Sequence, residues 1–191
     1  LSLIKDDSFL SDIYIKKNDC NKFDVKTKKF HVISYSAVLD LMSKSSIIKV
    51  LKSANCNNVI YFSLCFNGMV KWTPTNIFDK YILSFFNNHQ RMDKGFGMAL
   101  GSRSIDFIKK NAAKHEVNFT MKNSPWIIFN RSKRDKEFMN RYISDVKKAL
   151  FYMEGIDRDI LRNWYKEKKF HIDSKRIKLY VGHQDILLHK K

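Results

Sequence analysis

Apolar residues recur along this chain in two rhythms, and the changes between them mark its elements. FHVISYSAVLDL, Phe30 to Leu41, opens as an apolar β-prone run and ends in helix-compatible residues, which predicts a strand and then a turn. In SKSSIIKVLKSA, Ser43 to Ala54, Ile47, Val50 and Leu51 share one helical face, with Ser43 or Ser45 as the N-cap. NVIYFSLCF, Asn58 to Phe66, is almost continuously apolar, the pattern of a strand covered on both faces in a parallel sheet. Asn67-Gly68 then predicts a hairpin turn with MVKW as a short return strand. PTNIFDKYILSFFNNHQ reads as a helix with Pro74 near its first turn.

The second half repeats the alternation. Ile105, Ile108 and Ala112 have helical spacing in the stretch from Ser102 to His115, behind a serine cap. EVNFTMKNSPWIIF is a strand interrupted at Pro125, whose missing N–H suits an edge or bulge. Phe138, Tyr142, Val146, Leu150 and Met153 line one helix, and Ile160, Leu161 and Trp164 mark another after Gly155. RIKLYVGHQDILLHK closes the chain as a long β segment with Gly182 in its middle. Strands alternating with helices predict an α/β domain, mostly parallel, with the last strand inserted antiparallel.

Between the second helix and the third lies the least ordinary passage, NNHQRMDKGFGMALGSRS, Asn87 to Ser104. It holds three of the chain's six glycines beside a His, two Arg, a Lys and an Asp. Glycine serves where backbone takes positive φ or approaches something closely, and polar residues crowded around such turns often face a ligand.

Totals narrow the picture. At 191 residues, 44% hydrophobic and 14% aromatic, the chain is one globular domain with a sizeable core. No apolar run approaches a membrane span of about 20 residues, and LSLIKDDSFL lacks a signal-peptide pattern, so a cytoplasmic protein without a membrane role is expected. Cys20, Cys56 and Cys65 form no CxxC pair and read as buried free thiols. The six histidines show no ligand spacing, so no metal is expected. A net charge of +17 invites a nucleic-acid partner, yet the lysines are spread along the whole chain, as compositional bias would spread them. Nucleic acid is therefore the less favoured partner.

FHVISYSAVLDLMS, the WTP that ends the ribbon, FNNHQRMDKGFGMALG, NSPWII and VGHQDILLHK together resemble the C-terminal two-thirds of bacterial class I S-adenosylmethionine-dependent methyltransferases. The resemblance implies a Rossmann-like sheet of seven strands whose last strand is antiparallel and inserted beside the fifth. By that analogy Phe30 to Tyr35 is the fourth strand, Asn58 to Phe66 the fifth, Val117 to Lys122 the sixth and Ile177 to His189 the seventh. The helix pair from about Lys133 to Phe170 is an excursion between the last two. Residues 1–191 then form a single partial domain, truncated at the N-terminus. The family holds the donor's amino-acid end on a glycine-rich turn and its ribose on an acidic residue, whereas the first glycine here is Gly68.

The same resemblance implies site residues. Asp7, Ser8 and Phe9 stand where the family's adenine loop would be, with a plain acidic surface turn as the alternative. Ser34, Tyr35 and Ser36 would end the strand that faces the methyl donor, S-adenosylmethionine, or be merely a polar strand end. Methyl transfer is an in-line displacement from a good leaving group, so the protein aligns donor and acceptor and removes a proton where needed. His89 suits proton acceptance because imidazole titrates near neutrality; the bland alternative is a surface or capping role. Arg91, also assigned to catalysis, could grip a carboxylate or phosphate in two places. Gln90, Asp93 and Lys94 would orient the acceptor, unless Arg91 or Lys94 simply pairs with Asp93. Trp72 and Phe96 would wall the acceptor, or be core. Gly182-His183-Gln184-Asp185 suits a bulge or buried hydrogen bonding better than catalysis.

The expectation is thus a methyltransferase with an unidentified acceptor, with inactivity of this truncated chain as the open alternative. The alternatives are a non-catalytic methyltransferase-like protein that binds a partner protein through the sheet edge left by truncation, or one that binds RNA.

Overall fold

A computed structural model describes residues 31–93, 95 and 97–190. The elements run β1 (Val32–Ser36), α1 (Lys44–Ser53), β2 (Val59–Thr73), α2 (Asp79–His89), α3 (Ser104–Ala112), β3 (Val117–Asn123), β4 (Trp126–Ile128), α4 (Lys133–Phe151), α5 (Arg158–Asp173) and β5 (Lys178–Lys190). Strand order is β1-β2-β5-β3, with β4 paired to β5. β1 runs parallel to β2, while β5 is antiparallel to β2, β3 and β4. The architecture is mixed α/β: four strands point one way and β5, inserted between β2 and β3, points the other. Among the described residues no helix is long and apolar enough to cross a membrane.

Local signals place the helices. Ser43 caps α1 by accepting from the Ser46 N–H, and Ser132 and Asp135 form a capping box at α4. Asp157 accepts from Asp159 and Ile160 N–H at the start of α5. Pro125 separates β3 from β4, as its missing donor requires. Pro74 is not in the first turn of α2, which begins at Asp79; there the Asp79 carboxylate accepts from Asn76 N–H at 2.7 Å and fixes the entry. Nor does a serine cap α3, whose N-cap is Arg103 with no side-chain bond.

The expected hairpin at Asn67-Gly68 is absent. β2 continues through it as one strand, because its register with β5 slips twice, between Phe62 and Cys65 and between Phe66 and Val70. Leu64 (φ 55°) and Gly68 (φ 86°) take the positive backbone angles that these bulges need. Asn-Gly supplies left-handed backbone equally to a turn and to a bulge, and only the partner strand decides between them.

The bulges let the sheet bury opposite faces at its two ends. Near β1, Ile60, Phe62, Ile186 and Leu188 turn toward α1 and α3 and form the first core with Leu39, Ile47, Leu51 and Ile108. At the far end Trp72, Leu179 and Val181 turn the other way, into a second core with Ile82 of α2, Met139 and Ile143 of α4, and Leu161 and Trp164 of α5. Along β5, Ile186 and Leu188 are buried beyond Gln184, and Leu179, Val181 and His183 before it, with Gly182 also buried where the buried face changes. The continuous apolar run in β2 therefore signals a strand that changes its buried face, not one covered on both faces along its length.

Candidate functional site

The end of β1 and the glycine passage meet at the start of α1. After Ser36 the chain turns through Ala37, whose N–H donates to Ser63 O at 3.0 Å, and through a short 3-10 turn at Leu39–Leu41. Leu100 N–H then donates to Met42 O at 3.0 Å, which lays the glycine passage beside the α1 N-terminus. An open cleft lies between Ser43, Lys44 and Ser45 on one wall and Gly97, Met98, Ala99 and Leu100 on the other.

Close approach explains Gly68 and Gly101, whereas Gly95 and Gly97 supply positive φ without crowding. A Cβ on Gly68 would stand 2.7 Å from Ser102 Cβ, and Asn87 donates to Gly68 O at 3.0 Å. Gly101 (φ 56°) would place a Cβ 2.9 Å from Arg91 Cγ. These contacts pin the passage between the β2 bulge and α1.

Each expected site residue has a definite place. His89 is the last residue of α2 and is half-buried, as are Gln90 and Arg91. Arg91 hydrogen-bonds the Asn88 side chain and lays its stem against Gly101, rather than pairing with Asp93. Asp93 is exposed, accepts from Gly95 N–H at 2.7 Å and bridges to Met98, so it shapes the turn. Ser34 and Ser36 lie exposed on the second face of the sheet, while Tyr35 lies on the first, stacked on Phe62 with ring centroids 4.8 Å apart. Those three do not converge. Trp72 is 4% exposed within the second core, edge-on to Tyr142 and Trp164, and not in the cleft beside Ser43. Asp7, Ser8, Phe9, Lys94 and Phe96 lie outside the described residues.

One carboxylate escaped the sequence reading. Asp40, in the 3-10 turn after β1, is buried, and desolvation pushes its pKa up to about 6. The Cys65 thiol near it is fully buried and pushed up to about 12, first by burial and then by the Asp40 charge, so it is an inert thiol. Cys56, in contrast to the buried state expected of it, is exposed. An Asp inside the apolar run SAVLDLM was the available clue to Asp40.

Asp185 takes the hydrogen-bonding role expected of the GHQD segment. It accepts from Tyr61 O–H (2.8 Å), Leu64 N–H (2.9 Å) and Ser124 O–H (2.8 Å). Burial alone would raise its pKa, but these bonds outweigh it and hold the carboxyl below the ordinary range. The structure thus gives the GHQD segment a hydrogen-bonding role, holding the Leu64 bulge where the buried face changes. His183 is buried against Phe66 and Trp126.

A class I methyl donor needs holders for its ribose and its amino-acid end. The described residues do not fit that need: the first glycine is in the β2 bulge, the Tyr35 ring is engaged by Phe62, and the carboxylate after β1, Asp40, is buried.

No protein-family model matches the chain, and no curated protein matches its sequence. Among solved structures, a Haemonchus contortus phosphoethanolamine N-methyltransferase 2, in complex with phosphomonomethylethanolamine and S-adenosylhomocysteine, aligns with 85% of this chain at 13% identity and a TM-score of 0.31. The chain spans 34% of that protein's length. A likeness this distant carries no argument about chemistry.

Proposed function

We propose that residues 31–190 form the acceptor-side part of an S-adenosylmethionine-dependent methyltransferase, with the donor's holders supplied from outside those residues. The observation that carries this reading is the strand order β1-β2-β5-β3 with β5 antiparallel between β2 and β3. That is the order expected of the fourth, fifth, seventh and sixth strands in the family the sequence resembles. A fold alone does not assign chemistry, so the reading also draws on the glycine passage, which Leu100 ties to Met42 beside the N-terminus of α1.

In this account Asn88 and Gly101 set the direction of the Arg91 guanidinium, which binds an anionic group of the acceptor. His89 holds the acceptor's proton on its imidazole. When bound, the donor supplies an electrophilic methyl group; the chain's own contribution is to orient the acceptor and exclude water.

The test uses the chain expressed with all coding sequence upstream of Leu1, assayed for methyl transfer from S-adenosylmethionine into a small-molecule extract. His89→Ala should lower kcat/KM by about a hundredfold to ten-thousandfold, and Arg91→Ala should lower it through weaker acceptor binding, both with unchanged urea midpoints. Wild-type kcat/KM in both variants would remove these two residues from the mechanism.

A second reading rests on β1, whose outer edge pairs with no strand among the described residues. Here the chain is a non-catalytic, methyltransferase-like protein that adds a partner's strand to that edge. Donor binding separates it from the first reading.

A further inference from the structure

The second core covers only one face of the far end of the sheet, and the other face carries an ordered set of rings and cations. Across three strands, Lys71 of β2 is in register with Tyr180 of β5, which is in register with Ile127 of β4. Their sequence neighbours Trp72, Leu179 and Val181 point the opposite way and are buried, so this row faces solvent. One step along, Lys178 and Phe129 extend the row. Ile127 is 47% exposed and Phe129 45%.

Every cation here lies against a ring. Lys71 Nζ is 5.8 Å from the Tyr180 ring centroid, Lys178 Nζ is 4.9 Å from that of Phe129, and the Arg131 guanidinium is 4.7 Å from the same ring. None of the three cations forms an ion pair among the described residues. The carboxylate that acts on Arg131, Asp135, is committed to capping α4 through the Ser132 and Arg131 N–H groups. In a chain of net charge +17, this is a surface of rings and apolar side chains whose cations have no ion-pair partner among the described residues.

We infer that this uncovered end of the sheet binds single-stranded nucleic acid, with bases stacked on Phe129 and Tyr180 and phosphates held by Lys71, Lys178 and Arg131. Charge complementarity selects the ligand: a polyanion satisfies three unpaired cations. The rings select its form, because unpaired bases offer π-faces to exposed aromatic rings whereas a duplex hides them. An anionic membrane would satisfy the same cations, but Ile127 and Tyr180 lie on strands, whereas binding at a membrane surface draws on the continuous apolar face of an amphipathic helix.

A chain this basic attracts any polyanion, so the test must separate stacking from charge. Fluorescence anisotropy of the 191-residue chain with labelled 12-nucleotide oligo(U) and oligo(dT), at several salt concentrations, gives affinity and salt slope. Phe129→Ala and Tyr180→Ala should each weaken binding by about 5- to 100-fold at constant salt slope, while heparin binding stays at the wild-type level. Lys71→Ala with Lys178→Ala should reduce the magnitude of the slope by about 1.4. Circular dichroism and urea midpoints establish that each variant is folded, and Phe129→Tyr, which keeps a ring, should restore affinity. Equal affinity of wild type and both ring variants would overturn the inference, as would no binding at 50 mM salt, or tighter binding to phosphatidylserine vesicles than to either oligonucleotide. A preference for oligo(U) or for oligo(dT) identifies the source and supports it in either case.

Discussion

Asp79, in the first turn of α2, and Lys168, in the middle of α5, form an ion pair across the second core. Lys168 Nζ lies 2.8 Å from one carboxylate oxygen and 3.0 Å from the other, its side chain is fully buried, and it sits 5.3 Å from the centre of the Trp72 ring. Trp164 Nε1–H donates to the same carboxylate at 2.8 Å, as does Asn76 N–H at 2.7 Å. Burial draws the Lys168 pKa below its ordinary range, and the bond to Asp79 opposes that. Asp79→Ala strands a buried ammonium and should cost about 3–5 kcal/mol in urea unfolding. Lys168→Met leaves Asp79 held by Trp164 and Asn76 and should cost clearly less. Equal costs would mean that the pair acts as one unit with no stranded charge.

Lys168 also shows where sequence legibility ends. Leu161, Trp164, Lys168 and Ile172 all lie on the buried stripe of α5, so a lysine on an apolar face was visible in the spacing. Its partner was not, because Asp79 lies far away in sequence and only the packed helices join them. Elements with local causes were legible: the Ser43 cap, the break at Pro125, the α4–α5 pair and the antiparallel last strand. Gly68 was misread because one backbone signal serves two structures. The expected donor contacts at Ser34 to Ser36 rested on chain position alone, and strand alternation sends their side chains to opposite faces.

Asp40 predicts a dependence of stability on pH. Its folded pKa is raised from 3.8 to about 6, so the folded state holds the proton more tightly than the unfolded one. Its stabilising contribution is complete below pH 4 and is lost as pH rises through about 6, leaving the charged form disfavoured at pH 8 by about 3 kcal/mol. Asp40→Asn should therefore be more stable than wild type at pH 8, by about 3 kcal/mol, and close to it at pH 4. Urea midpoints at pH 4, 6 and 8 test this; a gap of the same size at all three would assign the effect to packing.

Gly68 and Ser102 offer a test of the close approach that pins the glycine passage. An alanine Cβ at Gly68 would meet Ser102 Cβ at 2.7 Å and would stand on a backbone with φ 86°. Gly68→Ala should cost about 1–3 kcal/mol, part of it strain and part contact. Ser102→Gly in the same chain should recover the contact part, seen as a coupling of about 0.5 kcal/mol or more in a double-mutant cycle. Strict additivity would show that the passage moves away freely.

The central claim, that residues 31–190 carry the acceptor side of a methyl-transfer site and not the donor side, is tested by calorimetric titration with S-adenosylhomocysteine. The 191-residue chain and the chain with all coding sequence upstream of Leu1 are compared, each checked by circular dichroism. The account predicts saturable binding by the longer chain and none by the shorter. Absence of binding by both, each folded, would contradict it and leave the partner-binding reading, while equal binding by both would place the donor site within the 191 residues.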